Sequence, residues 1–566
     1  MIRRLFARRR PAAFLCVLAG VLAAGCGRQN RALRAVDIFV NGRILTMDEE
    51  KPEAGAMAVG GGKILAVGTA SEVKKVFPGA RTIDLGGKRV MPGIIESHGH
   101  LLSLGESFVQ LNLEGTPSPE AAVEKVKERL RQTPAGAWIT GWGWDEGAWA
   151  KKYPTNKALS AAAPDNPVIL RGLHGFASWV NKKALEIAGI TARTISPPNG
   201  EILKDPQTGE PTGILMNKAQ ELVDKVIPSP GPGEIEKALE LAQEECLKNG
   251  LTAVHEANTS RPMLEALRRM KSSNKLKIRV YSMIDGTDKQ LVDSYLEKGP
   301  DIDTDCRLTV RSIKIFVDGA LGSHGAAFLE PYSDAANVKG VIVTPEEGLS
   351  AITCRALKSG FQVAAHAIGD SANRITLNAF GRAIREVPEV KDHRLRLEHA
   401  QVTALEDIPK FAPLGSVVSM QPPHCTSDMP WAETRVGPER IKGAYAWRSF
   451  LKTGVHLALN SDFPGETLNP FWGMYAAETR QTPDGKPEGG WYPDQCLTRK
   501  ETLRAYTVES AYAGFEEKVM GRIKKGMLAD FIVLSDDILT MPSRKLLSLR
   551  VERTYVGGTP VFNMEH

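Results

Sequence analysis

The middle of the chain alternates short apolar runs with amphipathic stretches of helical period, a pattern that predicts a parallel β-sheet covered by helices. Amphipathic stretches at 234–249 and 345–359 separate some of the runs, and Gly360 follows the second as a helix stop signal. Eight runs joined by crossovers predict an α/β fold, a closed TIM (β/α)8 barrel. The predicted strands are residues 93–97, 252–255, 278–283, 312–317, 362–365, 395–398, 416–420 and 456–460.

Both ends of the chain have the two-residue alternation of β-strands instead. Residues 36–44 and 56–67 alternate around Asn41-Gly42 and Gly60-Gly61-Gly62, which are typical hairpin turn sequences. A similar β-rich stretch lies at the other end of the chain, with a predicted hairpin turn at Gly557-Gly558 between its last strands. We therefore expect one discontinuous β-sandwich domain, built from residues 36–90 and 520–566, around the barrel at 91–519.

The interval between the first and second predicted barrel strands is too long for a simple crossover loop, so an inserted subdomain is expected at about 101–235. It begins at the barrel end where active sites lie. We consider two interpretations, a lid that covers the substrate and a structural elaboration with its own core, and both can hold. The insertion is rich in aromatic residues, namely Trp138, Trp142, Trp144, Trp149, Tyr153 and Trp179.

The N-terminus has the features of an export signal. Five arginines precede residue 11, and the apolar stretch 12–25 that follows is too short to span a bilayer. Residues 1–26 are therefore predicted to be a signal peptide and 27–35 a linker. The segment ending in Cys26 resembles a bacterial lipobox, although its Leu22 lies one residue further from the cysteine than usual. This implies lipidation of Cys26 and a membrane-anchored lipoprotein on the periplasmic face or cell surface, with plain secretion and a retained signal anchor as alternatives.

The composition, 42% apolar and 24% charged residues, is that of an ordinary globular protein. The N-terminal arginines account for five of the net +6 charges, and no long Lys/Arg run follows them, which argues against a nucleic-acid partner. The five cysteines beyond Cys26 show no CxxC spacing and are expected to be small buried residues. A homo-oligomer is compatible with the sequence.

Metal-competent side chains occur at or near the ends of several predicted barrel strands. His98 and His100 end the first strand, and residues two apart on an extended chain point to the same side, so both imidazoles can reach one metal. Because the strand ends meet at one mouth of a barrel, the whole set predicts a metal site there. The other members are Lys314 on the fourth strand, His366 and His399 at the ends of the fifth and sixth, and Asp462 just past the eighth.

The motifs around these residues resemble the amidohydrolase superfamily and, more narrowly, its YtcJ-like branch (amidohydrolase family 3), which includes N-substituted formamide deformylases. Glu96 departs from the pattern, because the family commonly has Asp there. That position is normally outside the metal ligand set. The motifs are MPGIIESHGH at 91–100, Lys314 within KIFVDGALGSHGAA, His366 within AAHAIGD, His399 within RLEHAQ and Asp462 within NSDFP.

The resemblance implies a site with two divalent metal ions, zinc in our interpretation. His98 and His100 are expected to bind the more buried ion, and His366 and His399 the more exposed one. Lys314 is expected to bridge them as a carbamate, because an ammonium cannot ligate a cation whereas a desolvated lysine can be carboxylated. Asp462 is expected to bind the first ion and to serve as the catalytic proton acceptor. An uncarboxylated Lys314 in a one-metal site is the alternative.

The predicted activity is hydrolysis of a non-peptide, amide-type C–N bond in a small-molecule substrate by metal-bound hydroxide. A metal-dependent esterase, lactonase or cyclic amidase uses the same attack, and nothing in the ligand set distinguishes the leaving groups. A non-catalytic ligand-binding lipoprotein is an alternative of another class. Candidate substrate contacts are His174, His324, His424 and Trp431.

Overall fold

The structure, a computed structural model, describes residues 36–145, 149, 153–172 and 177–564. The predicted signal peptide, Cys26, the linker and His174 lie outside the described residues. Within those ranges, no helix is both long and apolar enough to cross a membrane. The chain divides into two compact units, one made of Met1–His100 and Gln243–His566 and the other of Leu101–Ala242.

Eight parallel strands form the central sheet of the first unit and pair in chain order from β1 to β8. The circle closes beyond β8, where the Asp462 N–H donates to the His98 carbonyl (3.1 Å) and the His100 N–H to that of Phe463 (2.9 Å). The predicted TIM barrel is thereby confirmed. The strands are β1 (Ile94–Gly99), β2 (Leu251–Thr259), β3 (Arg279–Asp285), β4 (Leu308–Phe316), β5 (Gln362–Ala367), β6 (Arg396–His399), β7 (Val417–Met420) and β8 (His456–Leu459).

The strand and helix bounds differ from the sequence pattern mainly where polar residues interrupt it. β4 begins four residues earlier than its apolar run, because Thr309 and Arg311 occupy strand positions that the pattern does not reveal. The predicted helix at 345–359 is observed, and Gly360 follows it with φ 78°. Helices of this unit lie at Arg261–Ser272, Lys289–Lys298, Glu346–Lys358, Asp370–Glu386, Pro422–Asp428, Ala432–Arg440, Trp447–Lys452, Pro470–Thr479, Arg499–Arg504 and Ser510–Ala513, and Pro232–Lys248 precedes β2.

Strands from both chain ends form two further sheets. Phe39 of one sheet packs edge-on against Phe531 of the other, with ring centroids 5.1 Å apart, and Tyr555 stacks on Phe531 at 4.4 Å. These rings belong to one buried core between the two sheets. The four-stranded sheet has the order Lys63–Gly68, Ala56–Gly60, Asp37–Val40, Arg81–Asp84. The six-stranded sheet has the order Thr559–Asn563, Val551–Val556, Phe531–Leu534, Arg89–Pro92, Arg43–Leu45, Glu53–Ala54. The helix Ala70–Val76 follows the strand Lys63–Gly68.

Two of the three predicted hairpin turns are confirmed and one is wrong. The strands flanking Gly60-Gly61-Gly62 pair antiparallel, as do those flanking Gly557-Gly558. The strands on either side of Asn41-Gly42 instead belong to different sheets, because each pairs in parallel with a later strand. The chain therefore changes sheets at this turn, and a side chain at Gly42 would collide with Leu85.

The second unit contains a six-stranded sheet and has its own core. The rings of Trp144 and Trp149 stack with centroids 5.3 Å apart, Trp179 meets Trp149 edge-on at 6.1 Å, and all three are buried. These tryptophans therefore stabilise the insertion itself. Its strands, in sheet order, are Gly200–Lys204, Pro211–Asn217, Ala177–Val180, Val168–Gly172, Ile139–Trp144 and Leu111–Asn112, and its helices are Leu101–Val109, Pro119–Leu130, Asn156–Ala162, Lys182–Ile187 and Glu221–Asp224.

Candidate active site

The carboxyl ends of the barrel strands surround a cavity of about 440 Å³. This is within the size range of small-molecule sites. The cavity brings together most of the candidates named from the sequence, which came from segments hundreds of residues apart. They are His98, His100, Lys314, His366, His399, His424, Trp431 and Asp462.

The first group of possible ligands converges on Asp462. Its Oδ1 lies 3.2 Å from His100 Nε2 and 3.6 Å from His98 Nε2. Lys314 Nζ lies 3.1 Å from the same His98 nitrogen. The ligand atoms of the two histidines and Asp462 all lie within 4.8 Å of one another, close enough to surround one cation.

The second group lies beside the first. The ring centroids of His366 and His399 are 4.5 Å apart, and His399 Nδ1 lies 4.0 Å from Asp462 Oδ2. His366 Nε2 is buried without a hydrogen-bond partner, an uncommon state that ligation of a metal would explain. Burial, followed by the nearby Lys314, lowers the pKa of His366 to about 3, so its imidazole is neutral at pH 7, as a metal ligand must be. The residues present therefore fit a metal centre.

Lys314 is buried at the centre of this arrangement, with 1% of its surface exposed. Burial lowers its pKa to about 8, because desolvation disfavours the ammonium form. An appreciable fraction of the amine is consequently unprotonated near neutral pH. A neutral, nucleophilic amine among candidate metal ligands is the chemical state from which a carbamate can form.

Two of the candidate ligands have unusual backbone conformations. His399 has φ 74° and Asp462 φ 59°, values that non-glycine residues adopt at a cost of about 1–3 kcal/mol each. The turn at His399 allows it and the preceding Glu398 both to reach the barrel interior, although strict strand alternation would place them on opposite faces. Positioning of the ligands thus overrides the ordinary strand geometry.

Glu96 supports the segment that carries Asp462. Its Oε1 accepts the backbone N–H of Ser461 at 2.6 Å and that of Asp462 at 3.3 Å, and also the Ser461 hydroxyl at 2.9 Å. Burial raises the pKa of Glu96 to about 8. Glu96, which stands where the family commonly has Asp, therefore contacts the segment of Ser461 and Asp462.

Sequence reasoning missed the residues that orient His98. Glu398 Oε2 lies 2.5 Å from His98 Nδ1, and Arg396, fully buried, donates to both Glu398 oxygens at 2.6 and 3.2 Å. Arg396 also donates to the Ser97 carbonyl at 2.6 Å. When Glu398 accepts the Nδ1 proton, the Nε2 lone pair of His98 is free to face the cavity. Two charged residues in the buried strand RLEH were the available signal.

Other histidines and acids of the barrel and its loops have local partners. His255 Nδ1 receives a hydrogen bond from Arg396 at 2.9 Å, and Asp318 accepts three backbone N–H groups while lying 3.6 Å from His366 Nε2. His324 bonds to Asp334 at 3.0 Å and Arg435 at 2.9 Å. The cavity lining does not include His324, so this candidate substrate contact lies in a neighbouring loop network.

The cavity wall also contains polar residues that the sequence did not single out. Gln401, Asp428 and Glu466 line it, the first after β6, the second at the end of the helix Pro422–Asp428 and the third after β8. Their only sequence signal is their location shortly after barrel strands, a region where loops commonly hold functional residues.

A protein-family sequence model, described as "Amidohydrolase family", matches residues 81–562. The putative amidohydrolase YtcJ of Bacillus subtilis is 34% identical over 538 residues, which cover 93% of this chain and 99% of that protein. The N-substituted formamide deformylase of Arthrobacter pascens is 30% identical over 543 residues, with coverages of 92% and 97%. The crystal structure of an uncharacterized metal-dependent hydrolase from Pyrococcus horikoshii matches with TM-score 0.76 and 29% identity, over 90% of this chain and 99% of that one. The similarity to a formamide deformylase supports a hydrolase that acts on carbon–nitrogen bonds, and the chain belongs to the amidohydrolase family.

Proposed function

We propose that the protein hydrolyses a non-peptide amide C–N bond in a small molecule, using two zinc ions held at the barrel mouth. The observation that carries this proposal is the convergence of four histidines, a buried lysine and an aspartate on one cavity. The similarity to a formamide deformylase over most of the chain supports an amide as the scissile group.

In this proposal His98, His100 and Asp462 would hold one ion, and His366 and His399 would hold the other. Lys314, carboxylated by carbon dioxide, would be a ligand to both. Its burial, its lowered pKa and the 3.1 Å separation from His98 Nε2 support this assignment. When bound, such ions would polarise a carbonyl and lower the pKa of a bound water to about 7.

Asp462 transfers the proton. Burial opposes ionisation of this carboxyl group, yet the contacts with His98 and His100 hold its pKa well below the ordinary value, so it is ionised and able to accept a proton. It accepts the proton of the attacking water and delivers it to the nitrogen of the departing amine. Its hydrogen-bonded position beside His100 keeps the carboxylate at the mouth of the first strand.

Esters, lactones and cyclic amides remain the second substrate class, since the same groups serve their hydrolysis. A ligand-binding lipoprotein without turnover is the alternative of another class. We further propose that the protein is exported and anchored through a lipid on Cys26, which the lipobox-like sequence supports.

A matched panel tests the proposal. The purified protein, supplied with zinc and bicarbonate, is assayed against formamides and acetamides and against the corresponding esters. We expect amine release that follows metal content and is abolished in His366→Ala. The control is His456→Ala, because His456 begins β8 at the opposite end of the barrel and pairs with Glu509. Activity on esters alone would establish the second class, and inactivity on both panels would favour the binding lipoprotein.

A further inference from the structure

We propose that the substrate carries a cationic group at the end remote from the scissile amide, received by Asp428 and Glu466 beside Trp431. This inference rests on the proposed amide hydrolysis, because it concerns the same cavity. It is carried by the charges of the cavity wall, the positions of the two carboxylates and the apolar side chains next to them.

The two carboxylates form one acidic part of the wall. Ser427, adjacent to Asp428 in the chain, donates its hydroxyl to Glu466 Oε1 at 2.5 Å. Asp428 Oδ2 accepts the Tyr445 hydroxyl at 2.6 Å and the Gln401 amide at 2.9 Å, which fixes the side chain. Burial raises the pKa of Asp428 and Glu466, and a bound cation would favour their ionised forms. An ionised carboxylate has about four lone-pair positions, so Asp428 could then accept a further donor from the ligand.

Cationic side chains are almost missing from the same wall. Of the described residues that line the cavity, Lys314 is the only lysine or arginine, and the proposed carbamate would turn it negative. His424 also lines the cavity and interacts electrostatically with both carboxylates. Arg435 lies near Trp431, 5.9 Å from its ring, but is paired with Asp334 and outside the lining. An anionic group on the substrate would meet Asp428 and Glu466 at this wall, and the juxtaposition of like charges would disfavour its binding there.

The rest of the lining suits the chain between the amide and the cation. Phe316, Leu321 and Ile368 provide apolar surface for methylene groups. The indole of Trp431 can contact either methylene groups or a cation, since aromatic faces attract ammonium and guanidinium groups. The preferred class is therefore an acylated amine with an ammonium or guanidinium at its far end.

Three probes of similar length test this assignment on the full chain loaded with zinc and bicarbonate. They are the monoformyl derivative of pentane-1,5-diamine, N-hexylformamide and 6-formamidohexanoate, which are cationic, neutral and anionic at the far end. We expect kcat/KM for the cationic probe to exceed that for the neutral one by about 10- to 100-fold, the value of one or two charge-assisted hydrogen bonds. The anionic probe should be the poorest. Equal values, or a preference for the anion, would overturn the inference.

Single variants then assign the preference to the two carboxylates. Asp428→Asn and Glu466→Gln should each reduce the cationic-to-neutral ratio about tenfold, mainly through KM, while metal content stays unchanged. The matched control is Glu433→Gln, which removes one negative charge from an exposed residue close to Trp431 in the chain. A ratio that persists in both cavity variants, or that falls equally in the control, would contradict the assignment.

Binding of the same three formamides to His366→Ala, in which no turnover is expected, separates this inference from the proposed hydrolysis. Calorimetry compares the cationic, neutral and anionic formamides on this variant. Preference for the cationic formamide, without hydrolysis of any formamide by the parent protein, would retain the cation-binding wall and reject the amide chemistry. Hydrolysis of the formamides without charge preference in either measurement would retain the amide chemistry and reject the cation-binding wall. The absence of both hydrolysis and charge preference would reject both proposals.

Discussion

Replacing Glu398 with glutamine should weaken metal binding because it disturbs the tautomer of His98. In the native site the carboxylate lies between the Arg396 guanidinium and His98 Nδ1 and accepts hydrogen bonds on both sides. In Glu398→Gln, an amide NH2 turned toward His98 would move the imidazole proton to Nε2, the atom that faces Lys314 and Asp462. With the amide reversed, its NH2 would face the Arg396 donors instead.

The expected magnitude follows from the burial of this pair. Arg396 and Glu398 are both 0% exposed, so the substitution leaves a guanidinium buried without its counter-charge. Removing one partner of such a pair costs about 3–5 kcal/mol, and glutamine, which keeps one acceptor oxygen, should fall near 3 kcal/mol. Loss of the carboxylate behind a ligating histidine should also lower metal affinity about 10- to 100-fold, or about 1.4–2.7 kcal/mol.

Two measurements are needed, the free energy of unfolding of the metal-free protein and the zinc dissociation constant from competition with a chelator. Asp530→Asn is the matched control, because Asp530 forms a comparably buried, two-pronged pair with Arg279 at 2.5 and 2.8 Å, at the start of β3 and away from the strand ends that bear the ligands. It should destabilise the fold similarly without changing zinc affinity.

The reasoning would be refuted if Glu398→Gln lost stability but bound zinc as tightly as the parent protein. It would also be refuted if Asp530→Asn lowered zinc affinity to the same extent, because the effect would then be a general result of destabilisation rather than of His98 orientation.

Four further predictions address other parts of the molecule. Lys314→Ala should lose about one equivalent of metal by elemental analysis, and Lys314→Arg should show the same loss because an arginine cannot form the carbamate. Full metal content with full activity in these variants would exclude a bridging carbamate at Lys314. Asp462→Asn should lower kcat by about 10²- to 10⁴-fold in steady-state kinetics, and an unchanged kcat would exclude the proton-transfer role. Burial raises the pKa of Glu516 from 4.5 to about 8, so the native state holds this proton more tightly than the unfolded chain. The free energy of unfolding therefore falls as pH rises from about 4.5 through 8. In urea titrations Glu516→Gln should lose less stability than the parent between pH 5 and pH 8, and an equal loss in the two proteins would contradict this. Cys26→Ser should move the protein from the membrane fraction to the soluble fraction after cell fractionation, whereas an unchanged distribution would argue against a lipid anchor.

Much of the barrel could be predicted because its determinants are local. An apolar run bounded by helical stretches is readable without knowing what packs against it, and seven of the eight strands begin within one residue of their runs. The positions of the candidate ligands were predictable for a related reason. In a parallel barrel all strand ends meet at one mouth, so His98 and Asp462 had to approach each other despite their separation in the chain.

The contacts that orient these groups were not predictable from local pattern. His98 and Glu398 are 300 positions apart, so no local pattern indicates their pairing. The positive φ of His399, which breaks the strand alternation, is likewise invisible in the sequence. The turn at Asn41-Gly42 failed as a hairpin for a similar reason, since strand pairing is decided by partners that come later in the chain. Likewise, Trp144 and Trp149 read equally well as lid or core until their stacking showed them in the core of the insertion.

The sequence by itself determined the fold class, the barrel strands and the set of residues that meet at the strand ends, because hydrophobic periodicity and parallel strand geometry act through near neighbours. Only the tertiary structure decided which atoms face one another: the carboxylate behind His98, the unpartnered nitrogen of His366, and the acidic wall of Asp428 and Glu466. Hydrogen bonds and charge pairs fall off over a few ångströms, so their energies depend on distances that only the folded chain sets.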